Sequence, residues 1–200
     1  MDGRHRPLMM HRLIRFWVYG GFLAAFLLLG LMPVYCQFWS VALVLVFLQL
    51  PVYMLHQLEE HDDDRFRKFV NRVLGGGREI LTESAVFVIN VPGVWGVNLV
   101  SILLACSINL GFGLIGVYLT FVNGLVHVAQ AIRMKCYNPG LITAILLFLP
   151  ISGIALWAIH AKGKIQPAYD EMGLGEALVI HLAIVAHVVL RLRKAQEFLG

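Results

Sequence analysis

The sequence predicts an all-α integral membrane protein of about six transmembrane helices, with both termini cytoplasmic and a polar four-helix core beside two scaffold helices. Three observations lead there. The 200 residues are 59% hydrophobic and only 14% charged, with a mean hydropathy of +0.77, whereas a soluble domain carries about 25% charged residues. Six stretches approach the roughly 20 apolar residues that a span needs: about 14–35, 40–56, 84–106, 110–132, 141–160 and 175–192. With the N-terminus inside, Lys162 and Lys164 are the only two of the 16 Lys and Arg residues that fall outside, as retention of basic loops in the cytoplasm demands. A single polytopic domain over residues 1–200 follows, because no polar stretch is long enough to build a second core. The net charge of +4 sits in the loops; it speaks to topology and points to no nucleic-acid partner.

Helix one follows Arg4, Arg6, Arg12 and Arg15 and reads as a retained span, since no small-x-small cleavage site follows and Tyr35 stands before Cys36. Helix five, "LITAILLFLPISGIALWAIH", is apolar up to His160, with a kink expected at Pro150. These two are the scaffold. Cys36, Cys106 and Cys136 are too widely spaced for a disulfide or metal framework and are expected among packing residues. Between helices two and three, residues 61–77 predict a cytoplasmic amphipathic segment. Phe66, Phe69, Val70 and Val73 form its apolar stripe on the membrane surface, and Gly75, Gly76 and Gly77 end it.

The other four helices carry polar groups: His56, Glu59 and Glu60 on helix two, Asn90 and Asn98 on three, Asn123, His127 and Gln130 on four, His181 and His187 on six. Intramembrane ionisable residues are costly and usually line a site. Their depths agree. His127 lies about 9 Å of helix rise from Arg133, His187 about 6 Å from Arg191, and His56 is at the same end of its helix. His181 is deeper, about 9 Å from His187.

Around helix two, Glu59 falls about 60° to one side of His56 and Glu60 about 40° to the other. Asp63, Arg67 and Asn71 extend that face if the helix runs on. His61 is about 140° from His56, which argues against a shared ion and excludes both zincin-type motifs, whose histidines stand four apart. Two adjacent carboxylates and a histidine could serve one metal or bridge two. The expected ligands are His56, Glu59, Glu60, His127 and His187, with His181 as a further candidate. Asn90, Asn123, Arg67 and Arg191 are expected behind them; Arg67 either pairs with Glu60 or binds a lipid or phosphate head group.

"HQLEE" (56–60), the separate His127 and "YNPG" (137–140) occur in that order. Together they resemble the HXXEE family of small integral membrane proteins, over roughly residues 40–190. The resemblance implies that His56, Glu59, Glu60, His127, Tyr137, Pro139 and Gly140 are site residues, and it supplies no reaction. Read physically, Pro139 and Gly140 make a tight turn beside the site, and Tyr137 either packs that turn or places its hydroxyl near the metal.

The expected function is that of a metal-dependent enzyme acting on a hydrophobic or lipid-like substrate at the cytoplasmic face. Mixed His and carboxylate donors suit one or two ions of iron or zinc. The paired carboxylates favour di-iron oxidation, with Glu59, Glu60 and Tyr137 as catalytic residues and a redox partner left undefined. The alternative is zinc-dependent hydrolysis with the spare glutamate as base. A transporter would show polar groups at both faces, and a purely structural role leaves the adjacent Glu59 and Glu60 unexplained. A short chain without appended domains suggests a bacterial inner membrane.

Overall fold

The computed structural model describes residues 5–161 and 165–197. Arg4, Lys162 and Lys164, on which part of the charge argument rests, lie outside the described residues. Among the described residues there is no strand. Six helical stretches are long and apolar enough to cross a membrane: Leu8–Gly30, Val41–Val73, Glu83–Ser107, Leu110–Met134, Leu141–His160 and Pro167–Lys194.

In chain order the α-helices are α1 (His5–Gly30), α2 (Met32–Phe38), α3 (Val41–His61), α4 (Arg65–Val73), α5 (Glu83–Val88), α6 (Gly96–Ser107), α7 (Leu114–Met134), α8 (Leu141–Thr143), α9 (Leu149–His160) and α10 (Pro167–Glu197). Wider π turns at Ile89–Trp95 and Ala144–Phe148 join α5 to α6 and α8 to α9. Pro92 lies inside the first and Pro150 just beyond the second. A proline removes an N–H and crowds the preceding turn, and a widened turn absorbs both. Ser40 and Thr82 start α3 and α5 by accepting from Leu43 and Ala85 N–H groups at 3.3 and 3.2 Å.

Helix α3 is the hub. It packs against α1, α6, α7 and α9, while α10 lies mainly on α7. Of its membrane window 67% is buried, against 11% for α10, so polar groups on α3 meet protein and those on α10 mostly meet the surroundings. Its apolar positions Phe47, Leu50 and Met54 join Leu114, Val117 and Ile159 in the main core, and Tyr53 packs with Leu119 and Phe148 near the site. The three cysteines are exposed rather than packed: Cys36 and Cys106 lie on outward helix faces and Cys136 in the bend after α7.

The chain after α3 departs from expectation. The helix does not run on: Asp63 and Asp64 adopt positive φ, 50° and 61°, and α4 leaves in a new direction. Part of its apolar stripe is covered by protein, while Val73 is exposed. Phe66, Phe69 and Val70 pack on Ile80, Leu81, Val86, Trp17 and Val188. Asn71 locks the following loop: its Nδ2 donates to Leu81 O at 2.9 Å, and its Oδ1 accepts from Ile80 and Leu81 N–H groups at 3.0 and 2.8 Å. Asn71→Ala leaves these partners unpaired and is expected to destabilise the protein by about 1–3 kcal/mol in detergent unfolding. An unchanged midpoint would show that water replaces the side chain at no cost.

Candidate metal centre

His56 and Glu60 stand one turn apart on α3 and therefore share a face, which is turned toward α7 and His127. All three are buried, at 0%, 6% and 3% exposure. One ligand atom from each lies within 4.8 Å of the others, so the group could hold a metal ion. His56 Nε2 is 3.5 Å from Glu60 Oε2, and His127 Nε2 is 3.6 Å from Glu60 Oε1. These separations are long for hydrogen bonds. They run to different oxygens of the carboxylate, and each is close to the roughly 3.3 Å between two donors that sit about 2.0–2.1 Å from a tetrahedral ion.

The hydrogen bonds behind the rings set their tautomers. Glu59 is a carboxylate that can only accept, and Thr143 Oγ1 donates to its Oε2 at 2.5 Å. Thr143 Oγ1 must then accept from His56 Nδ1, 2.8 Å away. On α7, Asn138 Nδ2 donates to His127 O at 2.9 Å, which turns its Oδ1 to accept from His127 Nδ1 at 2.7 Å. Both histidines thus carry the proton on Nδ1 and present a bare Nε2 to Glu60. Metal-binding histidines are held in this way, and His56 Nε2 has no other partner.

The Tyr137–Gly140 turn lies against both rings. Gly140 has φ +97°, and a Cβ there would fall 2.7 Å from His56 Cε1 and 2.8 Å from His127 Cε1. The Phe148 ring closes the far side of His56, with centroids 4.1 Å apart.

A family model described as a protein of unknown function with HXXEE motif matches residues 47–158. The chain belongs to the HXXEE family. No curated protein and no solved structure matches it. The match is narrower than the 40–190 span of the resemblance, and α10 lies beyond it.

Within the HXXEE motif the two glutamates part company. Glu59 was expected as a ligand and points away from the triad. It accepts from Tyr137 Oη at 2.7 Å, from Ile142 and Thr143 N–H groups at 3.2 and 2.7 Å, and from the Thr143 hydroxyl. It thereby caps the first turn of α8, whose N–H groups lack intrahelical acceptors. Tyr137 is the donor in its pair, with burial and Glu59 pushing its phenol up to about 12. Tyr137 therefore supports Glu59 and does not reach the metal group. Thr143 and Asn138, which hold the imidazoles, escaped the sequence reading. The signal for Asn138 was its place inside the Tyr-x-Pro-Gly turn, which brings it back onto α7.

Other expected residues lie elsewhere. His187 and Arg191 are exposed, a correction with a simple cause: His187 is about 120° around α10 from His181, and only the His181 side faces the protein. His181 lines the cavity wall and bonds Ala177 O at 2.7 Å through Nδ1, outside the triad. Asn90 accepts from Gln57 Nε2 at 2.8 Å, and Gln57 in turn accepts from Trp95 Nε1 at 2.6 Å, tying α3 to the π turn. Asn123 donates to the Tyr53 hydroxyl. Arg67 pairs with Asp64, Glu79 and Glu83 and not with Glu60. His61, set aside on helical geometry, stands beside the triad, its Nε2 3.1 Å from Glu60 Oε2.

Glu60 and His127 of the triad open on a cavity of about 260 Å³. Glu60, His61, His127, Tyr53 and Asn123 line its polar end, and Val70, Leu119, Ile184 and Val188 are among its apolar walls.

Proposed function

We propose that the protein is a membrane-embedded enzyme that holds one divalent metal ion on His56, Glu60 and His127 and hydrolyses an ester or amide of a hydrophobic, lipid-like molecule. The observation that carries this reading is the convergence of two Nδ1-protonated imidazoles on a buried carboxylate at the polar end of an apolar cavity. Two histidines and one carboxylate with an open position form a donor set of hydrolytic zinc sites. A bound ion supplies Lewis acidity and a more acidic water.

The paired-carboxylate reason for di-iron oxidation no longer applies, because both Glu59 oxygens are engaged at the α8 turn. Tyr53 supports the hydrolytic reading. Its hydroxyl accepts from Asn123, and its own proton has no acceptor among the described residues. It lines the cavity with Glu60 and His127 and is placed to donate to a substrate carbonyl. The apolar walls suit one slender chain, since about 260 Å³ is below the roughly 300–1,000 Å³ of drug-sized sites. By the distribution of basic loops, the site lies toward the cytoplasmic face of the membrane.

The test is metal content of the detergent-purified protein by mass spectrometry, beside His56→Ala and His127→Ala. Close to one zinc per chain, lost in both variants, is the expected result. One iron would keep the site and turn the chemistry to oxygen activation, as in two-histidine, one-carboxylate iron sites. A folded wild type that takes up no metal would end the proposal.

A further inference from the structure

We infer that a second, polar cavity is the route by which the metal ion reaches the buried triad, with His61 as the transit ligand at its inner end. The inference rests on the metal-binding reading above. A triad this buried raises the question of how a hydrated cation gets in. The cavity on which it opens has mostly apolar walls, and moving a divalent ion through apolar surroundings is prohibitively costly. A cavity behind α3 ends at Glu59 and Thr143 and is lined by no triad residue.

The third candidate route differs in kind. A cavity of about 300 Å³ lies between α1 and the α3–α4 corner, and Arg15, Asp63, Asp64, Arg67, Lys68 and Glu83 line it. Three acids there are matched by three bases, so the cavity is polar and nearly neutral. His61 lines this cavity and the apolar one, and so stands at their boundary.

His61 carries an independent mark of a missing ligand. It is 6% exposed, held between Trp17 and Phe66 with ring centroids 5.2 and 5.6 Å away, and while its Nε2 stands against Glu60, its Nδ1 has no hydrogen-bond partner among the described residues. A buried polar side chain left unpaired is costly. An ion or water arriving from the polar cavity satisfies it. Its Nε2 lies 3.1 Å from Glu60 Oε2, so an ion on His61 is within reach of the triad's carboxylate before it meets either imidazole of the triad.

The experiment follows loading of chelator-stripped protein with Zn²⁺, and its extraction by excess chelator, in the wild type and in His61→Phe. Phenylalanine keeps a ring between Trp17 and Phe66 and removes both nitrogens. A transit ligand alters the barrier and not the end states, so loading and extraction should both slow by about tenfold at unchanged final stoichiometry. A second measurement spares His61. In protein with Cys36, Cys106 and Cys136 replaced by alanine, Lys68→Cys is labelled with a bulky maleimide, which should slow loading relative to the same unlabelled protein. Wild-type rates in both measurements would overturn the route. Loss of bound zinc at equilibrium in His61→Phe would make His61 a permanent ligand and overturn its transit role. A wild type that takes up no zinc would remove the proposed function and the route together.

Discussion

With a metal ion held as proposed on His56, Glu60 and His127, Glu60→Gln is expected to abolish its binding, while Glu59→Gln keeps one ion bound at roughly 10–100-fold weaker affinity. The two residues are neighbours in sequence, but the helix turns them about 100° apart. Glu60 faces both Nε2 atoms at 3.5 and 3.6 Å and supplies the charge that a divalent ion needs. Removing that charge leaves two neutral imidazoles in a buried pocket, where an uncompensated cation is strongly disfavoured. Glu59 acts one bond further out. Its carboxylate fixes the Thr143 hydroxyl as an acceptor for His56 Nδ1. A glutamine there turns an NH₂ toward one set of donors and loosens the His56 ring without touching the ion. Competition titration with a chelator of known affinity reads both variants. Equal losses would mean that Glu59 also ligates, and a fully loaded Glu60→Gln would remove Glu60 from the site.

Gly140→Ala should cost the protein both stability and metal. At φ +97° an L-residue is strained, by about 1–3 kcal/mol. The new methyl also meets His56 Cε1 at 2.7 Å and His127 Cε1 at 2.8 Å, and forcing rings apart in a packed interior adds about 1–3 kcal/mol. The strain acts on the two imidazoles that must converge, so metal affinity falls with stability. Gly76→Ala is the control. Gly76 has φ +59° but open space around it, so it should show the backbone cost alone and retain the metal. If Gly140→Ala binds metal like the wild type, the turn does not press on the site as described.

The reach of the sequence is clearest on α3 and α7. His56 and Glu60 are one turn apart on a single helix, and helical periodicity alone places them on one face. His127 could be assigned to the same layer because Lys and Arg mark where each span ends. Periodicity cannot say which way a face points. Glu59 and Glu60 are equally good ligands on a bare helix, and it is the docking of α8 that engages one and leaves the other. The same blindness sent His187 to the site: rise along α10 set its depth, but the packing of α10 on α7 set its rotation.

The sequence by itself determined an all-helical chain with six membrane-length spans and the HXXEE motif, because composition, run length and motif spacing are local properties. Only the tertiary structure decided which polar groups meet. Thr143 and Asn138 hold the two imidazoles across 87 and 11 residues of chain, and no periodicity links such positions. The turn at Asp63 and Asp64 folds α4 back onto the core, where Phe66 packs on the His61 ring. Contacts of that kind arise from how helices pack, and a single helix carries no record of its neighbours.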